Sequence, residues 1–381
     1  MPPPIPTARQ IQILSELCNL PTAPYCEQYV VAWLQTWAKS RKIRTSFDKA
    51  GNLYLHYRHS KTPRRAPLVI EAHMDHPGFI ATKQQRNGTL LAQFRGGVKP
   101  SFFQNARARF FVNGQWHPFQ VVAIKKLPNK PFPDSDFQQI SLKPIEKASV
   151  PPGSIGMWDL PDATVSDDGL FSARVCDDVA GIAAIVCLFE ELIAQQIPTH
   201  VVGLCSRAEE VGFAGVLAVC QNQWLSKKSP IIGLETSKCS ANAPQKAGPI
   251  VRVGDLMSTF SPGLTHFIAQ AAGHLADDRP FPYQRKLMDG GMCNSTPFTV
   301  FGYDAAAMAV PLGNYHNQSD AAPPRIASEN IHLSDFAGLV AILVETAKRI
   351  GGYKPGCRGL RERLTALHEK QVPMLYAEFR H

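Results

Sequence analysis

Apolar residues recur at helical spacing over residues 8 to 21 and 26 to 41 ("IQILSELCNL", "EQYVVAWLQTWA"), and the breaker "PTAPY" separates the two predicted helices. "FDKAGNLYLHY" reads as a hairpin, and the apolar run "APLVIEAHMD" as a buried strand. Between Pro77 and residue 164 helical periodicity stops. "GFIATKQQRNGTLLAQF", "ARARFFVNGQWHPFQVVAIKK" and "DFQQISLKPI" are strand-and-turn segments, with hairpin turns at Asn87-Gly88 and Asn113-Gly114. This predicts a small β domain, residues 77–164, set into a larger one.

From about Val165 helix and strand patterns alternate. "DDVAGIAAIVCLFEELIAQQI" is a long apolar helix, "THVVGLCS" a strand, "GFAGVLAVCQNQW" a helix and "SPIIGLET" a strand. "LTHFIAQAAGHL" is helical, "FTVFGYDAAAMAVPL" strand-like towards its end, and "SDFAGLVAILVETAKRI" a closing helix. Such alternation predicts an α/β fold, a mostly parallel sheet flanked by helices. The larger domain then comprises residues 1–76 and 165–352, followed by a basic C-terminal tail, residues 353–381.

Composition narrows the setting. The 381 residues, 44% hydrophobic and 19% charged, suit a soluble globular chain. Its longest apolar run, "VAGIAAIVCLF", meets Glu190-Glu191 before it could span a bilayer, so no membrane partner is expected. "MPPPIPTARQ" lacks a signal-peptide pattern. The nine cysteines are odd in number, scattered and never paired as C-x-x-C, which points to reduced core residues and a cytoplasmic location. The formal charge of +9 resides in "KSRKIRTSFDK", "RHSKTPRR" and "CRGLRERLTALHEK". None of these interleaves aromatics in a nucleic-acid-binding signature, so they read as solvated surface.

Five acid or histidine clusters fall at ends of predicted elements. His73 and Asp75, two apart at a strand end, share a face. Asp177-Asp178 precede an apolar helix, where an N-cap would also place Asp. Glu209 and Glu210 follow "VVGLCS" in a position that also suits a helix dipole. Glu235 ends "IIGLE", and His316 follows an apolar run in "VPLGNYH". Together, two histidines and three carboxylates would suit a pair of divalent cations, with one carboxylate spare to move protons. Three carboxylates against two dications leave about +1, which a hydroxide would neutralise.

The ordered series "AHMDHPGF", "CDDVAG", "AEEVGFAG", "GLETS" and "PLGNYH" resembles the co-catalytic di-zinc metallo-aminopeptidases of the glutamyl and tetrahedral aminopeptidase type. "GNLYL" and "RNGTLLAQFRGGV" extend the likeness from about residue 8 to 352. The resemblance implies a zinc-peptidase-like fold and a metal-dependent aminopeptidase acting on peptides. His73 and Glu235 would bind one cation, Glu210 and His316 the other, and Asp177 would bridge. Zinc is expected, with cobalt and manganese using similar ligand sets. Asp75 would accept a hydrogen bond from the far nitrogen of His73, and Glu209 would be the general base and acid. By likeness to the wider fold group, the Asp177-Asp178 peptide would be strained or cis.

The chain departs from the family pattern at Val179, where an arginine is usual, and at Glu235, where an aspartate is usual. An alternative on the same metal core is a zinc carboxypeptidase or N-acyl amino acid amidohydrolase. No H-E-x-x-H, G-x-S-x-G or G-x-x-x-x-G-K is present, and Cys293 in "GGMCNSTPF" lacks a nucleophile signature. The resembled family dimerises through the β insert, which predicts a homo-oligomer.

Overall fold

The computed structural model of the protein describes residues 4–59, 61, 66–126, 138–276 and 280–378. Parts of the proline-rich start, of the basic stretch at 58–65 and of the C-terminus lie outside the described residues. The chain begins with α1 (Ala8–Cys18), whose N-terminus Thr7 and Gln10 close as a reciprocal capping box, and α2 (Gln28–Ser40). The hairpin β1 (Arg44–Phe47) and β2 (Leu53–Arg58) leads to the buried β3 (Leu68–His73).

Six strands then close a barrel in the order β4-β5-β8-β7-β6-β9. They are β4 (Gly78–Gln84), β5 (Leu90–Arg95), β6 (Arg107–Val112), β7 (Gln115–Lys126), β8 (Gln138–Pro144) and β9 (Ile155–Trp158). A single 3-10 turn, Pro100–Phe103, drops Phe103 into an aromatic core with Phe79, Phe94 and Trp158. Edge-to-face contacts hold it, with Phe79 4.8 Å from Phe94 and 4.9 Å from Trp158 between ring centroids. Closure removes the edges that a six-stranded sheet would otherwise expose.

The return to the large sheet comes with β10 (Thr164–Val165), which pairs with β11 (Leu170–Ala173). The barrel strands therefore end at Trp158, ahead of the expected boundary at 164. There follow α3 (Val179–Ala194), β12 (His200–Ser206), α4 (Ala214–Asn222), β13 (Ile231–Lys238), β14 (Ile250–Gly254), α5 (Pro262–Gly273) and β15 (Gln284–Leu287). The chain continues as α6 (Ser295–Val300), β16 (Ala305–Gly313), β17 (Glu329–His332), α7 (Leu333–Arg349) and α8 (Arg358–Glu378). The expected strand at the end of "FTVFGYDAAAMAVPL" is β16, the start of that segment belongs to the short helix α6, and the expected basic tail contains α8.

The large sheet has eleven strands, with the path β1-β2-β12-β3-β13-β16-β17-β11-β10 and β14-β15 beside β16. At its centre β12, β3, β13 and β16 run parallel. Alternation along β3 divides the core: Leu68, Ile70 and Ala72 join the cluster under α1, α3 and α7, while Val69 joins the one beneath α4 and α6. β17 is antiparallel to both β16 and β11, so β11 points the same way as the central four. Five chain segments therefore leave the sheet at one end, the end where open α/β sheets bind ligands.

Candidate metal centre

The candidate side chains gather at that end of the sheet: His73 closes β3 and Asp75 follows it, Asp177 comes after β11, Glu209 and Glu210 after β12, Glu235 lies within β13, and His316 comes after β16. The structure brings the expected ligands close to one another. His73 Nε2 lies 3.5 Å from Asp177 Oδ1 and 3.9 Å from Glu235 Oε1. His316 Nε2 lies 3.1 Å from Glu210 Oε2 and 3.6 Å from Asp177 Oδ2. Asp177 thus offers one oxygen to each histidine. One ligand atom apiece of His73, Asp177 and Glu210 falls within 4.8 Å of the others.

Local backbone geometry aims these groups. The Asp177-Asp178 peptide is cis, and the neighbours divide their roles: Asp177 faces the centre while Asp178 caps α3 by accepting the Gly181 N–H at 3.2 Å. His316 has a left-handed backbone (φ 54°), flanked by Asn314 and Asn317 in the same region. Both histidines engage a main-chain carbonyl through Nδ1, His73 that of Asp75 at 3.0 Å and His316 that of Gly97 at 2.8 Å. With Nδ1–H donating, each ring turns Nε2 towards the carboxylates of the centre.

This corrects the part expected of Asp75. Its carboxylate oxygen is 3.6 Å from His73 Nδ1, beyond hydrogen-bond reach, whereas its two oxygens accept the backbone N–H groups of Glu209 at 2.9 Å and Glu210 at 3.2 Å. Asp75 therefore fixes the loop that carries both glutamates. Glu27 supports the same loop from behind, accepting from Ala208 N–H at 3.1 Å and pairing with Arg207 at 2.7 Å.

The electrostatics are those of a cage with surplus negative charge. Burial alone would push Asp177 up, but His73 and His316 hold it down at about 2. Burial would depress His316, yet Glu210 and Asp177 hold it at about 10. Burial pushes Glu209 well above the usual carboxylate range, with Glu210, Asp75 and Asp177 adding to it against His73. Among the described residues, Asp177 Oδ1 and Glu210 Oε1 are buried acceptors with no hydrogen-bond partner. Converging carboxylates, imidazole nitrogens and orphaned oxygens fit divalent cations.

Several residues of the site carried no sequence signal. Glu329 accepts the N–H groups of Cys176, Asp177 and His316; His76 bridges the Asp177 carbonyl at 2.8 Å and Asn317 Oδ1 at 2.9 Å. Their contacts span large sequence separations or involve backbone atoms, so spacing could not reveal them. Beside Glu235 and Tyr315 opens a cavity of about 400 Å³ walled by Arg252, Met288 and Met292. Cys293 is buried, and burial pushes its thiol up to about 11, which leaves it an inert core residue.

The sequence pattern of the M42 glutamyl aminopeptidase family matches residues 51–333. The chain belongs to that family. A lysyl aminopeptidase of Pyrococcus furiosus is 25% identical, the match covering 75% of this chain and 84% of the relative. Among solved structures, the TET aminopeptidase of a marine-sediment Thaumarchaeota archaeon superposes with a TM-score of 0.73 at 18% identity, covering 91% of this chain and all of its own. The Desulfurococcus kamchatkensis aminopeptidase gives 0.73 at 17% identity, covering 90% and 95%. The TET1 peptidase of Pyrococcus horikoshii, which can assemble into a tetrahedron or a large octahedral shell, gives 0.71 at 18% identity, covering 89% and 99%. As an M42 member the protein is a metal-dependent aminopeptidase, a hydrolase acting on peptide bonds.

Proposed function

We propose that the protein removes N-terminal residues from peptides at a dinuclear centre in which His73 with Glu235, and Glu210 with His316, hold the two cations and Asp177 spans them. The observation that carries this reading is the Asp177 carboxylate, one oxygen 3.5 Å from His73 Nε2 and the other 3.6 Å from His316 Nε2. The nitrogen and oxygen donor set favours zinc. Bound cations would supply Lewis acidity, lowering the pKa of water and polarising the scissile carbonyl.

The chain's own residues do the rest. Asp75 holds the Glu209 loop through two backbone N–H groups, which fixes the main chain from which Glu209 extends. Glu209 takes a proton from the attacking water and returns it to the leaving amine. Burial and neighbouring carboxylates raise its proton affinity, which suits that exchange. The buried Arg252 in the adjoining cavity has no carboxylate at ion-pair distance among the described residues, so an acidic N-terminal side chain complements the pocket.

The nine free cysteines, six of them buried, support a reducing, cytoplasmic setting. The shells formed by the Pyrococcus horikoshii enzyme, together with exposed Val122 and Ile145 on the barrel, support a homo-oligomer. Elemental analysis of the purified protein, paired with hydrolysis of a free-amine peptide and its N-acetylated copy with and without chelator, tests the reading. Two equivalents of metal and cleavage of the free-amine peptide alone are expected. Cleavage of the acetylated copy would favour an amidohydrolase, and full activity in chelator would overturn the metal centre.

A further inference from the structure

Glu329, the first residue of β17, is wholly buried and has no cationic side chain at ion-pair distance among the described residues. A carboxylate in such a place is costly unless hydrogen bonds compensate. Three backbone donors do so. Oε2 accepts the Cys176 N–H at 2.7 Å and the Asp177 N–H at 3.0 Å, and Oε1 accepts the His316 N–H at 2.8 Å.

The topology explains why one side chain reaches both segments. β17 lies between β11 and β16, with Glu329 opposite Ala173 and Asn330 opposite Gly313. The chain that leaves β11 carries Asp177, and the chain that leaves β16 carries His316. One rigid, planar group therefore spans the gap between two loops that approach the centre from separate strands. Through these bonds it fixes where the Asp177 carboxylate and the His316 ring begin. The His316 main chain, held at φ 54° and ψ 36°, loses its N–H anchor without Glu329, leaving the Gly97 carbonyl to hold the ring against relaxation of the backbone towards commoner conformations.

We propose that Glu329 is a positioning residue for the metal centre, setting the separation of Asp177 and His316 so that the cation on the Glu210/His316 side is bound tightly. This rests on the two-cation reading above. Charge neutralisation is not the essential contribution; two acceptor oxygens at opposite ends of one carboxylate are. A glutamine has one acceptor, and keeping it on the two donors Cys176 and Asp177 turns its NH2 towards the His316 N–H, which releases His316. An aspartate keeps both oxygens on a shorter stem.

The test uses full-length protein stripped of metal and titrated with Zn2+ by calorimetry, with Co2+ absorption as a second readout of ligand geometry. Wild-type protein should take two equivalents. Glu329→Gln should bind one equivalent as wild type does and the other about 10- to 100-fold more weakly, with an altered Co2+ spectrum only for the second. Glu329→Asp should recover part of that loss, and it carries the comparison if the glutamine variant does not fold. Two equivalents of wild-type affinity in the variants would overturn the positioning role, as would equal weakening of both. Fewer than two equivalents in the wild type would instead overturn the two-cation reading, and this proposal with it.

Discussion

Glu209 and His316 are proposed to serve the same centre, yet their substitution should have different consequences. Glu209→Gln removes the proton acceptor and keeps the side-chain volume, so metal content should stay at the wild-type level while turnover drops about 10²- to 10⁴-fold. His316→Ala takes away a nitrogen donor and should lose metal itself, visible by elemental analysis before any assay. Arg252 offers a different kind of check. Arg252→Met preserves an apolar wall and deletes the buried guanidinium, so kcat/KM on glutamyl anilide should fall about 10- to 100-fold while that on leucyl anilide changes little. Equal losses on both would exclude Arg252 from side-chain selection. At this scale the ligand-type side chains can be read from sequence because each terminates an apolar run, where a charged residue stands out. Glu329 and Gly97 cannot be so read: one is a lone glutamate in "SENIHLS", and the other acts only through its carbonyl.

Elements were legible wherever burial imposes one clear period. α3 is apolar and buried from Val179 to Phe189, and β3 and β13 are short apolar runs ending in charge, so their type follows from the residues. β14, β15 and β17 escaped because they are short and carry polar or charged residues: "QRKL" and "ENIH" become strands through pairing with neighbours, not through their own pattern. The β1-β2 hairpin carries a pH-dependent feature of its own. His56 lies beside the Ser46 hydroxyl at 2.8 Å and is stacked on Tyr54, and burial, with Arg44 and His200 nearby, lowers its pKa to about 4. Because the folded value lies below the unfolded value of about 6.5, the folded state resists protonation there. The stability this contributes is complete above the unfolded pKa and is lost as pH falls towards 4. Thermal melts of the metal-free protein should therefore show Tm declining between pH 6.5 and 4, and His56→Gln should flatten that part of the slope relative to wild type. An identical slope in the variant would assign the acid sensitivity to other groups.

Viewed as a whole molecule, the inserted barrel is more than an outward-facing module. Its 96–99 segment reaches back over the sheet, where the Gly97 carbonyl accepts from His316 Nδ1 at 2.8 Å and the Lys99 N–H donates to Gln318 Oε1 at 3.1 Å. Two bonds, one to the His316 ring and one two residues beyond it, tie the barrel to the proposed metal centre. If the barrel also supplies the contacts between subunits, assembly and the orientation of one metal ligand share a structural element. Gln318 separates these two roles, because it lies on the catalytic side, is partly exposed, and touches no ligand atom in the centre. Removing its amide in Gln318→Ala leaves the Gly97 carbonyl intact but frees the segment that presents it. The expected result is unchanged particle size by light scattering, with Zn2+ affinity on the His316 side reduced up to about tenfold, since a second-layer contact to a ligating histidine is loosened and not deleted. Unchanged affinity would mean that the barrel holds Gly97 in place without help from the catalytic domain. A smaller particle would mean that this bond fixes the barrel's orientation for assembly as well as for the histidine.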